Sequence, residues 1–237
     1  MKIQGSVMLI TGASRGLGHA LAPWFARRGA KLLLTARSEE GLRETAQTVE
    51  ASGNMCAWHV ADLADPASLA SLAAWANEEH GGVDILLNNG ADLTSKPFME
   101  TSLDEIDHLI RTNITGLLQL TRLLAPAMIS RRCGVIVNVS SLAGYKPNPS
   151  QTVYSATKTG VNGISRALAA ELTEKGIRII NVGLPSVGDA PGKTPIARYA
   201  ALLEQAIQHG EGELFLSPVS KWLMRLYAFW PRLERIR

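Results

Sequence analysis

Cysteine is nearly absent from this 237-residue chain, and the two present, Cys56 and Cys133, form neither a framework of bridges nor a metal-like spacing. Each reads as a small buried apolar residue, with a reducing compartment as the expectation. No charge of one sign dominates. The formal net charge of +3 is small and scattered, which argues against nucleic-acid binding. Long apolar runs are missing too: none approaches the roughly 18 uncharged residues that a membrane span needs. The first of them, at 7–10, stops at Thr11-Gly12 with no signal-like cleavage site. Repeats, low-complexity stretches and linkers are equally lacking. The expectation is one cytoplasmic domain over residues 1–237, with a variable substrate and tail region over 190–237.

What is present is an alternation of short β-branched or Leu-rich runs with longer helical patterns. Strands are predicted at 7–10, 31–35, 55–59, 84–87, 135–139 and 177–182. Helices are predicted at about 16–28, 39–52 and 66–79, and two more long helical patterns flank the fifth strand. Apolar runs this short, without polar alternation, suit parallel strands covered by helices on both faces. The fold class is therefore α/β: a single-domain, Rossmann-like, doubly wound parallel sheet with ligand crevices at the carboxyl ends of its strands. Pro23 falls inside the first predicted helix, where it should cost about 3 kcal/mol or kink the axis. Residues 183–194 read as a loop, with Thr194-Pro195 opening a helix to about His209.

Three constellations carry chemistry. Thr11-Gly12-Ala13-Ser14-Arg15-Gly16-Leu17-Gly18 follows the first strand and opens the first helix. Its glycines permit a tight turn and let the backbone approach a pyrophosphate seated on the helix N-terminus. The second strand ends Leu34-Thr35-Ala36-Arg37, with Arg where an acidic residue would hold a ribose 2′-hydroxyl. Taken alone, Arg37 is as well read as a solvated surface charge; together, Arg15 and Arg37 favour NADP(H). Tyr154 and Lys158 lie four apart, on one face of a helix. A nearby cation favours phenolate and lowers a tyrosine pKa, although such a pair is by itself an ordinary helix surface.

With these motifs in order, the chain resembles the classical short-chain dehydrogenase/reductase family from Thr11 to about Val187. TGxxxGxG matches Thr11–Gly18, and the adenine-contacting aspartate matches Asp62, followed by Leu63. The family's N-N-A-G appears as Asn88-Asn89-Gly90-Ala91, its last two residues exchanged. Asn113, the serine block Val137–Ser141 and YxxxK at Tyr154 and Lys158 complete the match. The family spacing of serine to tyrosine selects Ser141 over Ser140.

The resemblance implies a catalytic set of Asn113, Ser141, Tyr154 and Lys158. Tyr154 would protonate a carbonyl oxygen as hydride arrives, and Ser141 would stabilise the developing charge. Lys158 would hold the nicotinamide ribose and depress the tyrosine pKa, and Asn113 would hold a water in a proton relay. Cofactor contacts are implied for Gly12, Ser14, Arg15, Gly16, Leu17 and Gly18 in the turn. Further along they fall to Arg37, Asp62, Leu63 and Asn89, then to Tyr154, Lys158, Pro185 and Val187. No metal is implied. Similar proteins are dimers or tetramers, so a homodimer or homotetramer is expected.

The chain departs from the family after the sixth strand, where Ser186 replaces a glycine and Ala190 stands where threonine is usual. A short lid region there suggests an open site and a bulky substrate. The basic, aromatic tail 221–237, with Trp222 and Trp230, packs on protein or lies on an anionic membrane surface. The expected activity is reduction of a lipid-like or secondary-metabolite carbonyl. The alternatives are a 3-oxoacyl-thioester (acyl-carrier-protein) reductase and a catalytically silent dinucleotide-binding sensor or scaffold.

Overall fold

The computed structural model describes residues 1–184, 196–210 and 212–215. Within these, seven parallel strands form one sheet: β1 Val7–Thr11, β2 Lys31–Ala36, β3 Cys56–Val60, β4 Ile85–Asn88, β5 Gly134–Ser141, β6 Ile177–Leu184 and β7 Glu213–Phe215. Their spatial order is β3-β2-β1-β4-β5-β6-β7. The chain winds outward from β1 in one direction and from β4 in the other. A crevice opens where the winding reverses.

Among the described residues seven α-helices cover the faces: α1 Gly16–Ala26, α2 Glu39–Glu50, α3 Pro66–Glu78, α4 Leu103–Ile110, α5 Gly116–Ser130, α6 Thr152–Leu172 and α7 Ile196–His209. Period-two alternation splits the strand residues between two cores. Met8, Ile10, Leu32, Leu34, Val135 and Val137 join Phe25 and Leu203 on one side. Leu9, Leu33, Leu86 and Ile136 join Leu72, Leu120 and Met128 on the other. The central strands are apolar over most of their length because both faces are buried.

The predicted strands are all present: β1, β2, β5 and β6 are one to three residues longer, and β3 and β4 are shifted by one residue. Short β7 was not anticipated; its three residues, Glu-Leu-Phe, are too few to show a period. Pro23 does not break α1, which runs a further turn to Ala26. It sits close enough to the C-terminus that only one helical hydrogen bond near the end is lost. Ser102 and Glu105 form a reciprocal capping box that starts α4. Between α4 and α5 the helix widens to a π turn over Arg111–Thr115, which no periodicity announces.

One polar layer interrupts the core facing α5 and α6. Asn88, Asn138 and Asn181 are register partners on β4, β5 and β6. Asn88 donates to Asn138 at 2.9 Å, and Asn138 donates to Ser165 of α6 at 3.0 Å. Asn181 donates to Asn162 of α6 at 2.9 Å and to the Tyr145 hydroxyl at 3.0 Å, and that hydroxyl donates to Glu213 of β7 at 2.9 Å. Buried amides are costly unless paired. This ladder therefore fixes α6 in one register on the sheet. Asn138→Ala removes the acceptor of Asn88 and the donor to Ser165, which keep Thr121 at 3.3 Å and the Val161 carbonyl at 2.8 Å, and is expected to cost about 2 kcal/mol in urea unfolding. A loss under about 1 kcal/mol would mean that the ladder contributes little.

Candidate active site

The turn after β1 is built for close approach. Gly12 has φ +65°, and a Cβ there would lie 2.6 Å from Gly90 Cα. Gly16 has φ +57° with nothing within 4 Å of a virtual Cβ, so the loop faces open space at the start of α1. The Asn89 amide donates to the Thr11 and Gly12 carbonyls at 2.9 and 3.3 Å, and the Thr11 hydroxyl accepts from the Asn89 and Gly90 amides. Asn89 is thus a brace for the turn as well as a wall of the crevice.

Along the switch point runs a cleft of about 670 Å³, lined by Gly12, Ser14, Arg15, Gly16, Leu17, Arg37, Asp62, Leu63, Asn89 and Asp92 among others. Gly18 lies behind this wall, where a Cβ would meet the Gly12 carbonyl oxygen at 2.4 Å. The Thr35 and Thr112 hydroxyls, on residues that also line the cleft, are buried without a hydrogen-bond partner among the described residues. An open glycine turn at a helix N-terminus, two guanidinium groups and unmet buried hydroxyls fit an elongated phosphorylated nucleotide.

The predicted catalytic residues converge at the carboxyl end of β5. Ser141 ends that strand, and its hydroxyl accepts from the Ala143 amide at 3.1 Å and lies close enough to Tyr154 to draw the phenol pKa down. Ser140 turns away to the Lys158 carbonyl at 3.0 Å. Gly144 lets this connection press on α6, since a Cβ would meet the Lys158 backbone at 2.7 Å. Lys158 is buried, and its ammonium donates to the Val139 carbonyl at 2.9 Å while lying 5.6 Å from the Tyr154 ring centre. Asn113, inside the π turn, donates to the Asp92 carbonyl at 2.9 Å and to Thr157 at 3.1 Å, and accepts from the Asp92 amide at 2.8 Å. Such turns recur at functional sites because one extra residue re-aims a side chain.

One electrostatic expectation is corrected. Lys158 was expected to bring the Tyr154 pKa down; instead, burial raises it, and the nearby Ser141 hydroxyl offsets only part of that rise. The ammonium is itself desolvated, with its pKa lowered to about 8, and one of its protons points at Val139. Pro185 and Val187, with Ser186, Ala190 and the proposed lid, lie outside the described residues, as does the tail 221–237.

The short chain dehydrogenase family model matches residues 6–196. The chain belongs to this family. It is 37% identical over 185 residues to the 3-oxoacyl-(acyl-carrier-protein) reductase FabG of Salmonella typhimurium, spanning 78% of this chain and 74% of that protein. It is 38% identical over 198 residues to the oxidoreductase UcpA of Escherichia coli K12, spanning 83% and 74%. A crystal structure of a metagenomic short-chain oxidoreductase in complex with NADP superimposes with a TM-score of 0.81 at 35% identity, covering 91% of this chain and 98% of that one.

Family motifs do not single out Asp92 or Thr157, yet both touch the catalytic group. Thr157 lies inside the YxxxK spacing, where its hydroxyl was a usable signal. Asp92 directly follows the exchanged Gly90-Ala91 pair, and an acid five residues beyond the predicted strand end at 87 was a signal of the same kind.

Lys158 also sets a stability prediction. Its pKa is lower folded than unfolded, so its cost to folding is complete below pH 8 and fades as the pH rises through the ordinary lysine range. Lys158→Met should therefore raise stability near neutrality by roughly 2 kcal/mol, the pKa displacement less about 1 kcal/mol for the lost hydrogen bond. Calorimetry should show that gain shrinking as the pH rises above about 8 and lost by about pH 10. A lower midpoint at neutral pH would show that the charge is compensated.

Proposed function

We propose that this oxidoreductase is an NADP(H)-dependent carbonyl reductase in which Tyr154 is the general acid. The observation that carries the reading is the placement of the Ser141 hydroxyl beside the Tyr154 phenol at the end of β5, with Lys158 buried behind it. The nicotinamide, when bound, supplies the hydride. Ser141 and Tyr154 present two hydroxyls to one substrate oxygen, and Tyr154 releases its proton to that oxygen as negative charge develops. Lys158 contributes positive charge behind the phenol and holds the ribose; Asn113 positions the relay from the π turn. Reduction needs the protonated phenol, the form a tyrosine with a pKa at or above its ordinary value takes at neutral pH, whereas oxidation needs phenolate. Arg15 and Arg37 at the cleft support the 2′-phosphorylated cofactor, the form bound in the metagenomic relative.

The substrate is an apolar, lipid-like or secondary-metabolite carbonyl. The support is the loop after β4, where Gln151 donates to Ser95 at 3.5 Å and Leu93 and Phe98 stand exposed. A second reading, reduction of a 3-oxoacyl thioester, is favoured by the similarity to FabG. One domain over 1–237, acting in the cytoplasm as a homodimer or homotetramer, completes the proposal. Exposed Leu103 and Ile110 of α4 and Leu118 and Leu123 of α5 support the assembly. No described helix is long and apolar enough to cross a membrane.

The test is NADPH absorbance across a panel of bulky ketones, small ketones and a 3-oxoacyl thioester. Turnover is expected with the bulky ketones, and activity confined to the thioester would establish the second reading. Preference for the smallest ketones would defeat the apolar assignment. The pH profile follows from the raised phenol pKa. Reductive kcat/KM should stay level through neutrality and fall only at alkaline pH as the acid loses its proton. A reductive rate climbing with pH would contradict Tyr154 as the acid.

A further inference from the structure

Arg37 is already paired. Its Nη2 donates to Asp92 Oδ1 at 2.9 Å across the cleft, and Asp92 Oδ2 lies 2.7 Å from His108 Nε2. The two partners differ in freedom. The Arg37 side chain is 50% exposed and on a flexible stem, whereas that of Asp92 is only 18% exposed. The Asp92 backbone is held on both its N–H and its C=O by Asn113. The guanidinium can leave; the carboxylate cannot follow. Glu40, Glu44 and Asp62 also line the cleft, against Arg15 and Arg37 as its only cations among the described residues.

We propose that Asp92 is a specificity-determining residue that competes internally with the cofactor's 2′-phosphate for Arg37, and so restrains the preference for the phosphorylated dinucleotide. The proposal rests on the reading of Arg37 as the 2′-phosphate ligand. A 2′-phosphate must break the Arg37–Asp92 pair before it gains the same guanidinium. A dinucleotide with a bare 2′-hydroxyl leaves the pair intact and is not so penalised.

Calorimetric binding of 2′,5′-ADP and 5′-AMP to the full chain separates these contributions without any turnover. Asp92→Asn should tighten 2′,5′-ADP by roughly three- to fivefold, the range of a partly exposed ion pair. It should leave 5′-AMP within about twofold. Asp92→Ser is the second variant; since Asn113 grips only the backbone at 92, neither change removes those bonds. Arg37→Ala should weaken 2′,5′-ADP selectively, and adding Asp92→Asn to it should then have no effect.

Tightening that persists without Arg37 would reveal simple charge repulsion and overturn the competition. Unchanged or weaker 2′,5′-ADP binding in both Asp92 variants, with Arg37→Ala still harmful, would overturn the proposal and leave the cofactor reading intact. Arg37→Ala binding 2′,5′-ADP as well as the parent does would overturn the cofactor reading, and the proposal with it.

Discussion

The hydrogen bond from the Lys158 ammonium to the Val139 carbonyl joins the catalytic helix to the carboxyl end of β5, inside a buried region. A desolvated ammonium must find an acceptor, and an acceptor at a strand end fixes where α6 can lie. From that placement the rest follows. Tyr154 stands one turn toward the helix start, within reach of Ser141, and Ser140 closes the contact on the Lys158 carbonyl. The asparagine ladder below serves the same end with neutral groups: Ser165 and Asn162 seat α6 on β5 and β6. Stability is spent on this arrangement, as is usual where a site must be held rigid.

Asn113 connects this centre to the cofactor cleft. It bridges Thr157, between Tyr154 and Lys158, and the peptide of Asp92, whose carboxylate reaches Arg37 at the far rim. The adenosine end and the reacting end are therefore joined through one side chain set in a widened helical turn. A change at position 92 acts on charge at the rim, and a change at position 113 acts on both ends.

Much of this was legible in sequence because its causes are local. The glycines of the first turn, the apolar strand runs and the Tyr–Lys spacing each express a backbone or helix geometry that adjacent residues dictate. The choice of Ser141 over Ser140 came from family spacing, and in the structure strand alternation puts only Ser141 beside Tyr154. What stayed hidden depends on residues distant in the chain. The Arg37–Asp92 pair spans 55 positions, and β7 exists only because β6 offers an edge for three residues. The direction of the Tyr154 pKa also escaped, since a helix face shows that a cation is near but not how deeply the phenol is buried. The π turn has no periodic signature either, because one extra residue in a helical run leaves the pattern intact on both sides.

The central claim is that Tyr154 delivers the proton while the rest of the site only binds and orients. Single-turnover mixing of Tyr154→Phe with NADPH and a ketone turned over by the parent tests it most directly. NADPH should bind within about twofold of the parent, while its oxidation slows by about 10²–10⁴-fold, the usual contribution of a positioned general acid. Oxidation at the parental rate, with NADPH bound equally well, would contradict the account.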